Sequence, residues 1–253
     1  GDFTTPNERY FAHVDFVLAS AADKGLLVFL APAYAGYGGG SQGWYQEMRA
    51  NGEAGLRWYG EYLGKRYRDD PNLVWVQGGD YDVADKNLVR ALANGIRRYD
   101  DKPQTYHGAR GTAALEFWGR GEPWLTVNSV YSGAAGVVAD ALREFEGATV
   151  PFVLLEAGYE GHTTDAHGAR VQAYQAVLSG ATGHVFGNDP VWHFGAPAWP
   201  TRNPAPWYEA LDSPGARSVS RVAEVIAQRR WWALRPDADG SFLTGGRGVG
   251  VDR

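Results

Sequence analysis

Strands alternating with helices along most of the chain predict an α/β fold, a parallel sheet with helices outside it. Three observations carry this expectation. Short, nearly continuous apolar runs recur, as in parallel strands buried on both faces. Between them stand helical stretches with apolar residues three and four apart. No internal repeat, charge block or low-complexity linker interrupts the series. A closed barrel and an open, doubly wound sheet both satisfy the pattern.

Residues 7–24 read as the first helix, with Phe11, Val14, Val17, Leu18 and Ala21 on one stripe. Gly25 ends it, as a residue that tolerates positive φ at a helix C-terminus. Residues 26–33 (LLVFLAPA) are the first strand, expected to be buried on both faces. A polar, aromatic loop leads into a long helix over about 42–68, and Pro71-Asn72 resets the chain. Residues 72–79 (NLVWVQGG) form the second strand, and 83–100 a helix with Leu88, Leu92 and Ile96 at intervals of four. Residues 104–108 are a short third strand, 124–131 a fourth, followed by a helix around 136–146. The fifth strand, 150–158 (VPFVLLEAG), has the clearest pattern, and a helix over 166–179 follows it. A short sixth strand is expected over 183–188, then mostly helix over 206–234 with a break at Ser213-Pro214-Gly215. The Gly- and Asp-rich tail holds one weak strand, 241–244.

Composition narrows the function. The 253 residues are 44% hydrophobic and 21% charged, enough for a sizeable core. With 24 Lys+Arg against 29 Asp+Glu the net charge is −5, which argues against nucleic acid as a partner. The absence of cysteine removes disulfides, thiolate metal sites and thiol nucleophiles, and leaves the compartment open. No apolar run approaches the roughly 18 residues of a membrane span. No Walker or G-x-G-x-x-G motif follows a strand, no G-x-S-x-G marks a serine nucleophile, and the six histidines contain no HExxH. No metal or cofactor is expected. Aromatic residues, 13% of the chain with 10 Trp, are the unusual number. They fill large cores, and they also form platforms for sugar rings.

In parallel βα folds the chemistry sits at the C-terminal strand ends. The second strand ends in Gly78-Gly79-Asp80-Tyr81-Asp82, two glycines for a tight turn and then carboxylates. The fifth ends in Leu154-Leu155-Glu156, a carboxylate after four apolar residues, costly to desolvate unless used. Taken singly, Asp80 or Asp82 could be a helix N-cap and Glu156 a salt-bridge partner. Together, Asp80 and Glu156 could face each other across a barrel mouth, and paired carboxylates, one acid and one nucleophile or base, are what glycoside hydrolysis needs. Other strand ends add groups suited to sugar hydroxyls and rings: Tyr34, His107, Asn128, Tyr131, Asn188 and Trp192, with Tyr37, Trp118, Ser129 and His193 nearby.

The blocks PNERYFAHVDFVLASAADKGL, RWYGEYLGKRYRDDPNLVWVQGGDYD, TYHGA, EPWLTVNSVYSG, VLLEAGYEG, VLSGATGHVFGNDPVW and PWYEALDSPGA resemble the apiosidase-like glycoside hydrolases, family 140, over roughly residues 6–235. The resemblance implies a (β/α)8 TIM barrel with the acid/base after strand 4 and the nucleophile on strand 7. Asp80 then takes the acid/base place and Glu156 the nucleophile place. His107, Asn128, Asn188 and Trp192 fall in pocket-lining blocks, and Asp82 and Tyr159 flank the two carboxylates as substrate-binding candidates. The chain departs from the family's GEP-like run, reading Glu156-Ala157-Gly158. The implied substrate is a carbohydrate, a plant or microbial polysaccharide side chain such as a pectic apiosyl linkage. A catalytically silent sugar-binding barrel, an inactive fragment and a metal-dependent hydrolase are the alternatives.

Strand numbering changes the meaning of the length. Six units occupy residues 26–230, roughly 34 residues each, so eight would need roughly 270. With Asp80 after strand 4, residues 26–33 become strand 3. The expectation is a barrel truncated at the N-terminus, strands 3–8 present and strands 1–2 before Gly1, an open edge at 26–33, a catalytic portion over 1–235 and the start of a further segment at 236–253.

Overall fold

The computed structural model describes residues 1–194, 203 and 205–245, and divides into two compact units, Gly1–Ser129 and Val130–Arg253. In the first unit, α1 (Glu8–Asp23) starts where the Asn7 side chain accepts the amides of Arg9 and Tyr10, and it ends at Gly25, whose φ is +69°. Phe11 and Leu18 face the core, whereas Val17 is exposed. β1 (Val28–Leu30) follows, then α2 (Tyr45–Tyr67), broken at Gly52, β2 (Leu73–Gly78), α3 (Lys86–Arg97), β3 (Gln104–His107) and α4 (Ala114–Trp118). The three strands form a parallel sheet in the order β1-β2-β3, with Val28 opposite Leu73 and Gly78 opposite His107.

β2 is central and wholly buried. Its one indole, Trp75, donates to Asp100 at 2.9 Å, and Gln77 Nε2 donates to Gln104 at 3.0 Å, so the two buried side-chain donors of this strand have partners. α2 and α3 pack backbone against backbone. A Cβ on Gly60 would sit 2.2 Å from the Leu92 carbonyl oxygen, and one on Gly95 would sit 2.5 Å from that of Arg57, so neither position admits a side chain. Trp75, Trp124, Tyr67 and Tyr106 are fully buried, and Trp118 meets Tyr106 and Trp124 edge-on. Much of the aromatic excess is therefore core.

The second unit contains α5 (Val137–Glu146), β5 (Phe152–Glu156), α6 (Ala166–Leu178), α7 (Trp207–Ala210) and α8 (Pro214–Ala227). β5 pairs with β4 (Asn128–Tyr131), the strand in which the two units meet in sequence. Asp165 caps α6, and Ser213 caps α8 with Pro214 in its first turn, as the Ser-Pro-Gly break leads one to expect. Val130, Val137, Phe152, Leu154 and Ala176 form the core.

Four sequence expectations need correction. The strand over 26–33 is three residues long and is not buried on both faces: Leu26 and Leu27 are 56% and 59% exposed. Among the described residues β1 pairs only with β2 and is the edge of its sheet, which accounts for the exposure. The strand over 124–131 begins only at Asn128, because Thr126 and Val127 both donate to the single Gln104 carbonyl. The strand over 183–188 reduces to isolated parallel bridges, Leu154 to His184 and Glu160 to Asn188, with glycines at 183 and 187 weakening it. Residues 241–244 form a turn, not a strand, since the Asp237 carboxylate accepts the amides of Phe242 and Leu243. The expected tail segment 236–253 lies partly outside the described residues. No helix among them is long and apolar enough to cross a membrane.

Candidate active site

Asp80 owes its position to the turn that ends β2. Gly78 and Gly79 have φ of +77° and +132°. A Cβ on Gly78 would lie 2.4 Å from the Tyr106 ring, and one on Gly79 would lie 2.1 Å from the Tyr34 ring. Glycine is required at both for conformation and for space. Asp80 continues the left-handed path at φ +47°, which is unusual for a residue with a side chain. Backbone bonds hold the turn from two sides: Gly79 N–H donates to the His107 carbonyl at 2.7 Å, and Ala35 N–H to that of Gly78 at 3.0 Å.

The carboxylate is oriented as firmly as the backbone. The Tyr34 hydroxyl donates to Asp80 Oδ2 at 2.8 Å, and His107 Nε2, at the end of β3, stands 3.9 Å from Oδ1. Asp80 caps no helix, because Asp85 is the N-cap of α3 and accepts the Asn87 amide. Asp82 accepts the Ala109 amide at 2.9 Å and so ties down the loop after His107. Asn128 is buried and accepts the Leu115 amide at 2.9 Å, at the start of α4. Tyr34, Asp80 and His107 thus come together in the first unit, while Asp82 and Asn128 carry structural hydrogen bonds beside them.

In the second unit Glu156 is the last residue of β5, and its carbonyl accepts the Ser132 amide at 3.0 Å. It lines a cavity of about 310 Å³ together with Leu155, Tyr159, Phe186, Asn188 and Trp192. Tyr159 packs so closely on the backbone that a Cβ on Gly187 would be 2.3 Å from its ring. The Asn188 amide group donates to the Ala210 carbonyl and Ser213 Oγ, at 3.2 and 3.0 Å. Trp192 is 44% exposed and sits edge-on to His193, which forms a buried pair with Asp189 at 2.9 Å. Tyr131 is buried on β4.

One residue of this cavity's frame was not singled out by sequence. Glu160 accepts hydrogen bonds from Ser213 Oγ at 2.5 Å, the Gly215 amide at 2.8 Å and Asn188 Nδ2 at 3.3 Å. It fastens the loop after β5 to the start of α8. Its only sequence signal is a second carboxylate in the Glu156-Ala157-Gly158-Tyr159-Glu160 run, and Ser213 is 53 residues away. Elsewhere in the unit, burial pulls the His184 imidazole down to about 4, so it stays neutral.

The parallel α/β fold has solved neighbours among glycoside hydrolases. One structure, titled a glycoside hydrolase, superposes with a TM-score of 0.83 at 22% identity, covering 96% of this chain and 60% of that one. A glycoside hydrolase family 5 structure from Bacteroides vulgatus ATCC 8482 gives 0.80 at 23% identity, covering 96% and 58%. The chain thus spans about 60% of the length of these structures. At the level of sequence, residues 1–233 match the apiosidase-like catalytic domain, and the chain belongs to that family. Among curated proteins none matches.

Proposed function

We propose that the chain carries the two-carboxylate machinery of a retaining glycoside hydrolase. Its substrate in this reading is a plant or microbial polysaccharide side chain of the apiosidic kind the family name denotes. The observation that carries the reading is the presentation of Asp80: a non-glycine residue in left-handed backbone, at a strand end, with its carboxylate fixed by Tyr34. Conformations of this kind persist where surrounding structure imposes them, and they cluster at functional sites. Membership of the apiosidase-like family supports it independently.

In the first step protonated Asp80 gives its proton to the leaving oxygen as the glycosidic bond breaks, and Glu156 attacks the anomeric carbon. In the second, water adds to the glycosyl ester, its proton passes to Asp80, and Glu156 departs as carboxylate. His107, Tyr131, Tyr159 and Trp192 supply hydroxyl partners and a ring platform. In this scheme β2 and β5 are the fourth and seventh strands of a barrel, and residues 1–235 are catalytic.

The test is turnover of a panel of aryl glycosides and pectic oligosaccharides by the intact protein, with the anomer of the first product read by NMR. Glu156→Gln is expected to abolish turnover and keep the fold. Asp80→Asn is expected to be partly rescued by good leaving groups. Wild-type rates in both variants would refute the assignment, and an inverted first product would refute retention.

A further inference from the structure

The turn that presents Asp80 has a second anchor, beyond the carboxylate from the Gly78-Gly79 pair. Tyr106 lies on β3, opposite Gln77 of β2, and is fully buried. Its hydroxyl donates and accepts at once, as a phenol can. It donates to the Tyr81 carbonyl at 2.5 Å and accepts the Val83 amide at 3.1 Å. These are the first and third residues after Asp80. A single oxygen thus bridges the chain where it leaves the left-handed position.

The ring of the same residue fixes the approach to the turn. A Cβ on Gly78 would lie 2.4 Å from one edge of it, and a Cβ on Gly108 would lie 3.2 Å from the other. Phe117 stacks on the ring with centroids 5.4 Å apart, and Trp118 meets it edge-on at 5.1 Å, so its position is set by α4 as well. Burial pushes the phenol up from its ordinary value, so the proton given to Tyr81 stays on the oxygen. Tyr106 therefore touches the chain on both sides of Asp80, at Gly78 with its ring and at Tyr81 and Val83 with its hydroxyl. A φ of +47° at a residue with a side chain persists where the flanking chain imposes it. All of these contacts lie between residues 78 and 118, remote in sequence from either end of the chain.

We propose that Tyr106 is a positioning residue for the acid: its hydroxyl fixes residues 81–83 and its ring fixes Gly78, so that Asp80 is held in left-handed backbone from both sides. The proposal rests on the reading of Asp80 as the acid. Buried as it is, Tyr106 reaches no substrate and acts through Asp80. It differs from Tyr34, which holds the carboxylate itself, because it acts on the backbone that carries the carboxylate. A positioned general acid contributes roughly 100-fold or more to a rate, provided that its proton lies on the path to the leaving oxygen. A small shift of the backbone removes part of that factor. Such a loss depends on how much protonation the leaving group needs, which a general loosening of the fold does not.

The test compares wild type, Tyr106→Phe and Tyr59→Phe in the intact protein, on aryl glycosides of graded leaving-group acidity. Tyr59 is the control, a buried tyrosine whose hydroxyl donates to the Pro32 carbonyl at 3.1 Å, outside the 78–83 turn. Tyr106→Phe is expected to lower kcat about tenfold for the poorest leaving groups and little for the best, with KM nearly constant. Its crystal structure is expected to show Asp80 moved from φ +47°. Tyr59→Phe is expected to keep the wild-type dependence on the leaving group. If Tyr106→Phe does not fold, replacing Val83 by its α-hydroxy acid removes only the N–H donor and is read in the same way. An unchanged kcat, a deficit equal across leaving groups, or an Asp80 that keeps its place in the variant would overturn the proposal. Should wild type hydrolyse no glycoside, the reading of Asp80 as the acid falls and the crystal structures decide alone. An Asp80 displaced in Tyr106→Phe then leaves the hold of Tyr106 on the turn standing, and an unmoved one sinks it too.

Discussion

Replacing Tyr34 by Phe removes one oxygen and isolates the orientation of Asp80 from everything else. The phenol donates to Asp80 Oδ2 at 2.8 Å, while its ring packs on the bare backbone of Gly79. Phenylalanine keeps the ring and loses the bond. A hydrogen bond to a charged group contributes about 1.5–3 kcal/mol, and the part exposure of this pair lowers the expectation to ~1–2 kcal/mol. If Asp80 is the proposed acid and the phenol serves to orient it, the cost is expected in kcat. At 1.36 kcal/mol per factor of ten this is a fall of roughly 5–30-fold, with KM nearly constant. The assay is steady-state hydrolysis of an aryl glycoside across leaving groups of increasing acidity. The deficit should shrink as the leaving group needs less protonation. An unchanged kcat, or a deficit independent of the leaving group, would refute the role given to Tyr34. A loss of folding stability beyond ~1 kcal/mol would mean that the hydroxyl supports the fold and not the carboxylate's orientation.

Further outcomes follow from other parts of the molecule. Gly60→Ala drives a methyl against the Leu92 carbonyl and should destabilise the first unit by about 1–3 kcal/mol in urea denaturation, whereas the same change at exposed Gly245 should be silent. His184 stays neutral when folded, with its ordinary value of 6.5 lowered to about 4. The unfolded chain therefore binds the extra proton between those values. Stability is full above pH 6.5, falls through the window, and by pH 4 has lost ~3 kcal/mol from this group; His184→Phe should flatten that part of the profile. Glu160→Gln, which keeps the shape and removes the charge facing Ser213 and the Gly215 amide, should lower stability by about 1–3 kcal/mol and raise KM more than it lowers kcat.

β2 and β5 were legible in the sequence because a strand covered on both sides leaves an uninterrupted apolar run, and their terminal carboxylates stood out against it. The Gly78-Gly79 pair was legible for a related reason, since only a tight turn or close backbone approach calls for two glycines there. β1 was overestimated because apolar content does not distinguish a central strand from an edge. The stretch 183–188 was overestimated because two glycines outweighed its Val and Phe. The hydrogen-bond partners of Asp82, Asn128 and Asn188 were harder to read. Polarity at a strand end looks the same whether the side chain meets a sugar or an amide from a distant segment, and their partners lie 27, 13 and 22 to 28 residues away. Glu160 was hidden for the same reason.

The left-handed backbone at Asp80 also limits how this position can drift. Asn and Asp enter that region with least penalty, and Gly enters freely, while longer or branched side chains meet increasing strain. If Asp80 is the proposed acid, a lineage released from that need would accumulate Asn or Gly here and would rarely acquire Glu. Either substitution would keep the turn, the lacing to His107 and the groove beside it. Among relatives, an amide or a bare backbone at this position would mark a sugar binder descended from an enzyme.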